Sequence, residues 1–124
     1  MTMSDYAQNI NLPGIKRGDR WPGITSIGPV TIADGQPAVT LARVRMQFRL
    51  DDAVYTLDSD SGQSPDAPIT ISNATTWIAT VPAVESGFCT TAGKWQFDIE
   101  FYGTGQGPTT YIKGSIYIYD DVTK

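Results

Sequence analysis

The stretch GKWQFDIEFYG, residues 93–103, sets Trp95, Phe97, Ile99 and Phe101 against Gln96, Asp98, Glu100 and Tyr102. A period of two places these sets on opposite faces of a β-strand, one apolar and one polar. The rest of the chain adds a second constraint. No window of a dozen residues carries apolar positions at helical spacing without a Gly or Pro inside it. Twelve Gly and eight Pro instead punctuate short runs rich in Val, Ile, Thr, Tyr, Phe and Trp. That is the pattern of an all-β domain with many turns. The 124 residues suit one domain, and 40% hydrophobic residues suffice for a packed core.

Taken in order, residues 1–14 are polar, end in Pro13-Gly14, and are expected to form a loose N-terminal arm. Residues 15–124 are expected to form a single sandwich. GITSIGPVTI (23–32) reads as one or two short strands broken at Gly28-Pro29, because Pro cannot donate to a ladder. ARVRMQFRL (42–50) is a strand with Val44, Met46, Phe48 and Leu50 on one face. DDA turns it into VYTLDS (54–59) as a hairpin. ITIS and TWIATVPA are two further strands about a turn at Asn73-Ala74, and VESGFCTTAG is a connection with a helical turn. The strand at 93–103 follows, then the Gly-rich turn YGTGQGP, then TTYIKGSIYIY (109–119) with Ile112, Gly114, Ile116 and Ile118 on one face. Seven to eight strands with turn signals every 8 to 12 residues have the spacing of an antiparallel β-sandwich. The phase of TWIATV stays open between Trp77 and Ile78 facing the core.

Asp98 and Glu100 need a purpose. The polar face of the strand at 42–50 holds Arg43, Arg45, Gln47 and Arg49. Three arginines on one face repel unless acid lies across, and Asp98 with Glu100 form the densest acidic face in the chain. Opposed unlike charges in a sheet contribute about 0.2 to 1 kcal/mol each. They also resist a one-residue slip, which would send every charge into the core. The two strands are therefore expected to be neighbours, with Arg43, Arg45, Arg49, Asp98 and Glu100 as a structural charge ladder.

Catalytic, metal and cofactor chemistry is weakly supplied. There are no histidines, so the commonest general base and metal ligand is missing. Carboxylates at i and i+2 lie roughly 6 to 7 Å apart on a strand, within glycosidase range, but any DxE strand shows that spacing. DSDSG (58–62) faintly resembles a calcium loop and lacks its remaining ligands and terminal Glu. GTGQG joins two strands, whereas a phosphate loop opens a helix. NAT at 73–75 matches a glycosylation acceptor, which matters only in a secreted protein. Cys89 is the lone cysteine, so the fold relies on its core rather than a disulfide. We expect no enzyme, no cofactor and no metal.

The net charge of −4 argues against a nucleic-acid partner. Neither a secretory signal nor an apolar run of about 20 residues is seen, so no membrane partner is expected. Tyr111, Tyr117 and Tyr119 share one face of the last strand, and Tyr102 ends the acidic strand on its outward face. Tyrosine combines large contact area with a polar tip and is enriched at interfaces. With Trp21, which either plugs the sandwich or anchors the arm to a neighbour, these residues are the candidate interface.

The run IKRGDRWPGITS, DGQPAVTLARVRMQFRLDDA, GKWQFDIEFYG and YIKGSIYIYDDVTK resembles bacteriophage and prophage tail-associated β-sandwich proteins. The shared elements are a G-D before an aromatic, a strand that carries M-Q-x-R (46–49) of the family's A-x-M-Q-x-R, a late W-x-x-D-I-E strand and a closing G-x-I. The N-terminal immunoglobulin-like domain of baseplate upper proteins is one such relative. The likeness covers roughly residues 15 to 123 and carries no catalytic residues. It implies an immunoglobulin-like antiparallel β-sandwich serving as a non-enzymatic virion protein of tail, baseplate or neck, localised to the particle. Its partners would be copies of itself and other virion proteins. Baseplate upper proteins continue into a region that joins the receptor-binding part; this chain ends at Lys124, so a small separate subunit is expected. The alternatives are a capsid decoration or head-fibre base protein, and a module binding host-surface glycan through Trp21, Trp77 or the tyrosines.

Overall fold

In the computed structural model, the period-two runs become long strands because each buries one face and solvates the other. The structure describes residues 8–29, 39–60, 62, 67–84 and 87–120. In chain order the strands are β1 (Gln8–Asn11), β2 (Ile15–Lys16), β3 (Ile24–Ile27), β4 (Leu41–Leu50), β5 (Ala53–Asp58), β6 (Thr70–Asn73), β7 (Ile78–Val81), β8 (Gly93–Gly103) and β9 (Pro108–Tyr119). A 3₁₀ turn, Gly87–Thr90, precedes β8. Two sheets face each other. One runs β1-β9-β8-β4-β5 with β2 also on β9, and the other runs β3-β7-β6. The larger layer thus holds the two N-terminal strands with β4, β5, β8 and β9, and β3, β6 and β7 form the other. This is the strand order of an immunoglobulin-like sandwich.

The core lies between the layers. Val44, Met46 and Phe48 of β4, Trp95 to Phe101 at alternate positions of β8, and Ile112, Ile116 and Ile118 of β9 supply the larger sheet's inner face. Ile27, Ala79 and Val81 answer from the smaller sheet. Burial of each large apolar side chain contributes about 1.5–3 kcal/mol. Rings fill one end: Phe48 stacks on Phe88 at 4.0 Å, and Trp21 meets both edge-on at 5.5 and 5.6 Å. At the other end Trp77 lies parallel to Phe101. Trp77, with φ +61°, faces the core, and its indole N–H donates to the Val39 carbonyl at 2.8 Å. That settles the phase of TWIATV: Ile78 is the half-buried one.

Two expectations need correction. The strand count among the described residues is nine rather than seven or eight. The extra ones come from the stretch expected as a loose arm and its neighbour. Residues 8–11 form β1, which pairs in parallel with 112–115 of β9, and β2 continues beside 118–119. Leu12 N–H adds a bond to the Ser115 carbonyl at 2.9 Å. The physical reason is that β8 takes only one edge of β9: without β1 the other edge would leave a row of backbone groups unpaired. Residues 1–7 of that arm lie outside the described residues, as do 30–38, which hold the last three residues of the run at 23–32 and the ADGQP stretch after it.

Candidate functional site

The outward face of the larger sheet gathers the residues singled out above. β4 lies between β8 and β5, antiparallel to both. Arg45 stands directly across from Glu100, and its Nη2 reaches Oε1 at 2.8 Å. Arg49 reaches diagonally to Asp98 at 2.9 Å and also donates to the Gln47 side-chain oxygen. Both carboxylates proposed as an acid/base pair are therefore engaged by guanidinium groups.

Arg43 departs from the expected ladder. Opposite Tyr102 on β8, it turns instead to Asp58 at the end of β5. Its Nε and Nη2 donate to the two carboxylate oxygens at 2.9 and 2.6 Å, and its guanidinium sits 5.1 Å over the Tyr102 ring. Asp58 is fully buried and accepts a further bond from the Asp60 N–H at 3.0 Å. Burial pushes the Asp58 carboxyl up. The hydrogen bonds from Arg43 and the Asp60 backbone, with the charges of Arg43 and Arg45, outweigh it and hold the group below the usual carboxylate range. The Asp58 hydrogen bond likewise raises Arg43 against the opposing effect of burial. Asp58 went unnoticed in the sequence because it begins the polar run DSDSG, which looks like a solvated turn. A signal was available: Asp58 keeps the alternation of β5, on the same face as Thr56 and Val54. With both its oxygens taken, Asp58 has lost the ligand role that the calcium-like reading required. Among the described residues no group of three or more potential ligands converges on a metal position.

The aromatic candidates separate. Trp21 is buried to 2% exposure and belongs to the ring cluster, so it is no free surface. Its backbone pairs with Val84, which draws the side chain inward between Phe48 and Phe88. Trp77 is buried as well, at 3%. The glycan reading thereby loses both tryptophan platforms. Tyr102 is half-buried beneath Arg43. Tyr117 and Tyr119, by contrast, are 55% and 45% exposed. Tyr117 stands across from Lys94, and a Cβ at Gly14 would touch the Tyr119 ring. The side chain of Tyr111 lies outside the described residues. Its backbone falls where the β8–β9 register shifts, between the pairs Ile99–Ile112 and Glu100–Thr110.

What the arrangement can do follows from this. The charged centre of the sheet is internally neutralised, and the exposed aromatic area lies to one side, on β9. With Asp98 and Glu100 paired to arginines, this face presents the Tyr117 and Tyr119 rings as its exposed aromatic area. No protein-family model matches the chain, and no curated protein matches it either. Among the described residues no helix is long and apolar enough to cross a membrane.

Proposed function

We propose that the chain is a non-enzymatic structural subunit of a bacteriophage or prophage particle, an accessory of tail, baseplate or neck that works by protein–protein assembly. The observation that carries this reading is the exposed Tyr117–Tyr119 pair beside Lys94, on a sheet face whose carboxylates Asp58, Asp98 and Glu100 are each paired with an arginine. The immunoglobulin-like sandwich is consistent with the motif likeness to tail-associated proteins, which supplies the particle itself. Partners are further copies of the chain and neighbouring virion proteins. A stable contact needs about 1,000 Å² or more of buried surface. The tyrosines would form its centre and Lys94 and Lys113 its rim. A capsid decoration or head-fibre base uses the same chemistry at another place on the particle.

The test is immunogold labelling of intact particles from the source culture with antibody raised to the purified domain. Label at the tail, baseplate or neck supports the proposal, and label over the head moves the subunit to the capsid. Absence of label on every particle, with the protein free in the lysate, overturns it and brings forward glycan binding by the tyrosines.

A further inference from the structure

We propose that β1 is an exchangeable strand: residues 8–12 of one copy leave their own β9 and occupy the same slot on a second copy. Four features of the slot point to this.

First, β1 is joined to the body at a break in its own ladder. β1 and β2 run along one strand, but their registers differ. Asn11 stands beside Ser115 and Ile15 beside Ile118, so the offset to β9 changes by one residue across Leu12-Pro13-Gly14. Pro13 has no N–H to donate, and a short proline-bearing joint of this kind can swing β1 out while β2 stays paired. Second, β1 is paired only with β9 in its sheet, and brings just Ile10 and Leu12, both half-buried, to the core. Third, its packing is incomplete. A cavity of about 30 Å³ remains between Ile10 and Leu12 and the side chains of Ile24, Ile27, Phe97 and Ile99. Atoms facing a void forgo their contacts, which lowers the cost of release.

Fourth, the slot is cut for this strand. A Cβ at Gly114 would collide with the Ile10 carbonyl, so the main chain of β1 approaches more closely than any other residue at 114 permits. Ser115 Oγ also meets Asn11 Oδ1 at 2.9 Å. An emptied slot exposes the β9 edge together with apolar side chains of both sheets, which is costly. Refilling by an identical strand restores every contact, leaving chiefly the entropy of association to be met. A second copy is thus the occupant that the slot selects. Reciprocal exchange between two copies closes as a dimer.

The exchange does not depend on the particle reading and is tested separately from it. Asn11→Cys and Ser115→Cys are made in separate full-length chains, each retaining the buried Cys89. The variants are mixed at high concentration, oxidised and run without reductant. The expected result is a covalent heterodimer linked through positions 11 and 115, twice the 13.5 kDa chain mass, with little homodimer from either variant alone. The wild-type chain should show the same twofold mass in light scattering at that concentration. The double variant, oxidised while dilute, should remain at single-chain mass. Homodimers as abundant as heterodimer indicate random surface contact and overturn the proposal. So does wild-type protein that stays at single-chain mass at every concentration.

Discussion

Replacing Arg43 by Met tests how the outward face of the sheet is held. Met preserves much of the stem but removes both donors to Asp58. The carboxylate, wholly buried, would keep the Asp60 N–H as its hydrogen-bond donor among the described residues. Removing one partner of a buried pair costs about 3–5 kcal/mol. Here the guanidinium is 33% exposed, so water already screens one side of the pair. The expected loss is therefore about 2–3 kcal/mol, between the buried and exposed limits. For a domain of this size that lowers the melting temperature by roughly 8–12 °C. Urea unfolding followed by tryptophan fluorescence reads it directly, because Trp21, Trp77 and Trp95 are all buried. The sign of the pH dependence is fixed by the Asp58 shift. Its folded value lies below the unfolded one, so in the wild type the pair contributes fully above the unfolded value, about 3.9. That contribution is lost as pH falls through the folded value. Without Arg43, burial is opposed by the Asp60 N–H and the Arg45 charge but no longer by the guanidinium pair, so the carboxyl moves up relative to the wild type and the variant relieves part of its penalty by taking up a proton as pH falls. The gap between wild type and variant should narrow from pH 7 to pH 4. Arg49→Met, which breaks a pair 46% and 24% exposed, should cost only about 0.2–1 kcal/mol. A loss below about 1 kcal/mol for Arg43→Met, or a gap indifferent to pH, would refute the assignment of Asp58 as the buried anchor.

Three further expectations follow. Gly114→Ala should expel β1, costing about 2–4 kcal/mol for the handful of backbone bonds lost, and hydrogen exchange should show amides near Ser115 losing protection. Trp21→Ala should cost about 3–5 kcal/mol in urea unfolding, as a core truncation does, whereas an interface residue would leave the isolated domain's stability unchanged. Tyr117→Ser with Tyr119→Ser should shift stability by no more than about 0.5 kcal/mol per site, yet abolish rebinding of purified protein to particles stripped of it.

The long strands were legible because their faces differ in chemistry. In β4 and β8 every second residue is apolar over most of the strand, and a slip would bury charge, so the Arg45–Glu100 neighbourhood could be read from side chains alone. The Gly114 position on the isoleucine face of β9 was visible too; its reason was not, because it depends on a main chain arriving from 104 residues away. β1, with the sequence QNIN, carries a single apolar residue and no alternation to announce it. Its pairing is imposed by the exposed edge of β9 rather than by its own composition. Trp21 misled for a related reason. Flanked by RGDR and PG it sits in polar company, and only the long-range bridge to Val84 turns it inward. Arg43 has two possible sides, since β4 is central; local sequence could not tell that β5 rather than β8 would claim it.

The parallel run of β1 beside β9 has a mechanical consequence. Tension drawn from the residues before Gln8 and from those after Tyr119 slides the two strands lengthwise past each other, so the bonds from Gln8 to Leu12 are strained together. Handles placed at Arg45 and Asp58, the open end of the β4–β5 hairpin, instead part that ladder one rung at a time. In an optical trap the first geometry should therefore rupture at the higher force; equal forces would mean that β1 bears no load. A domain strung by its two ends between neighbours would stiffen along that line while yielding readily to a sideways pull.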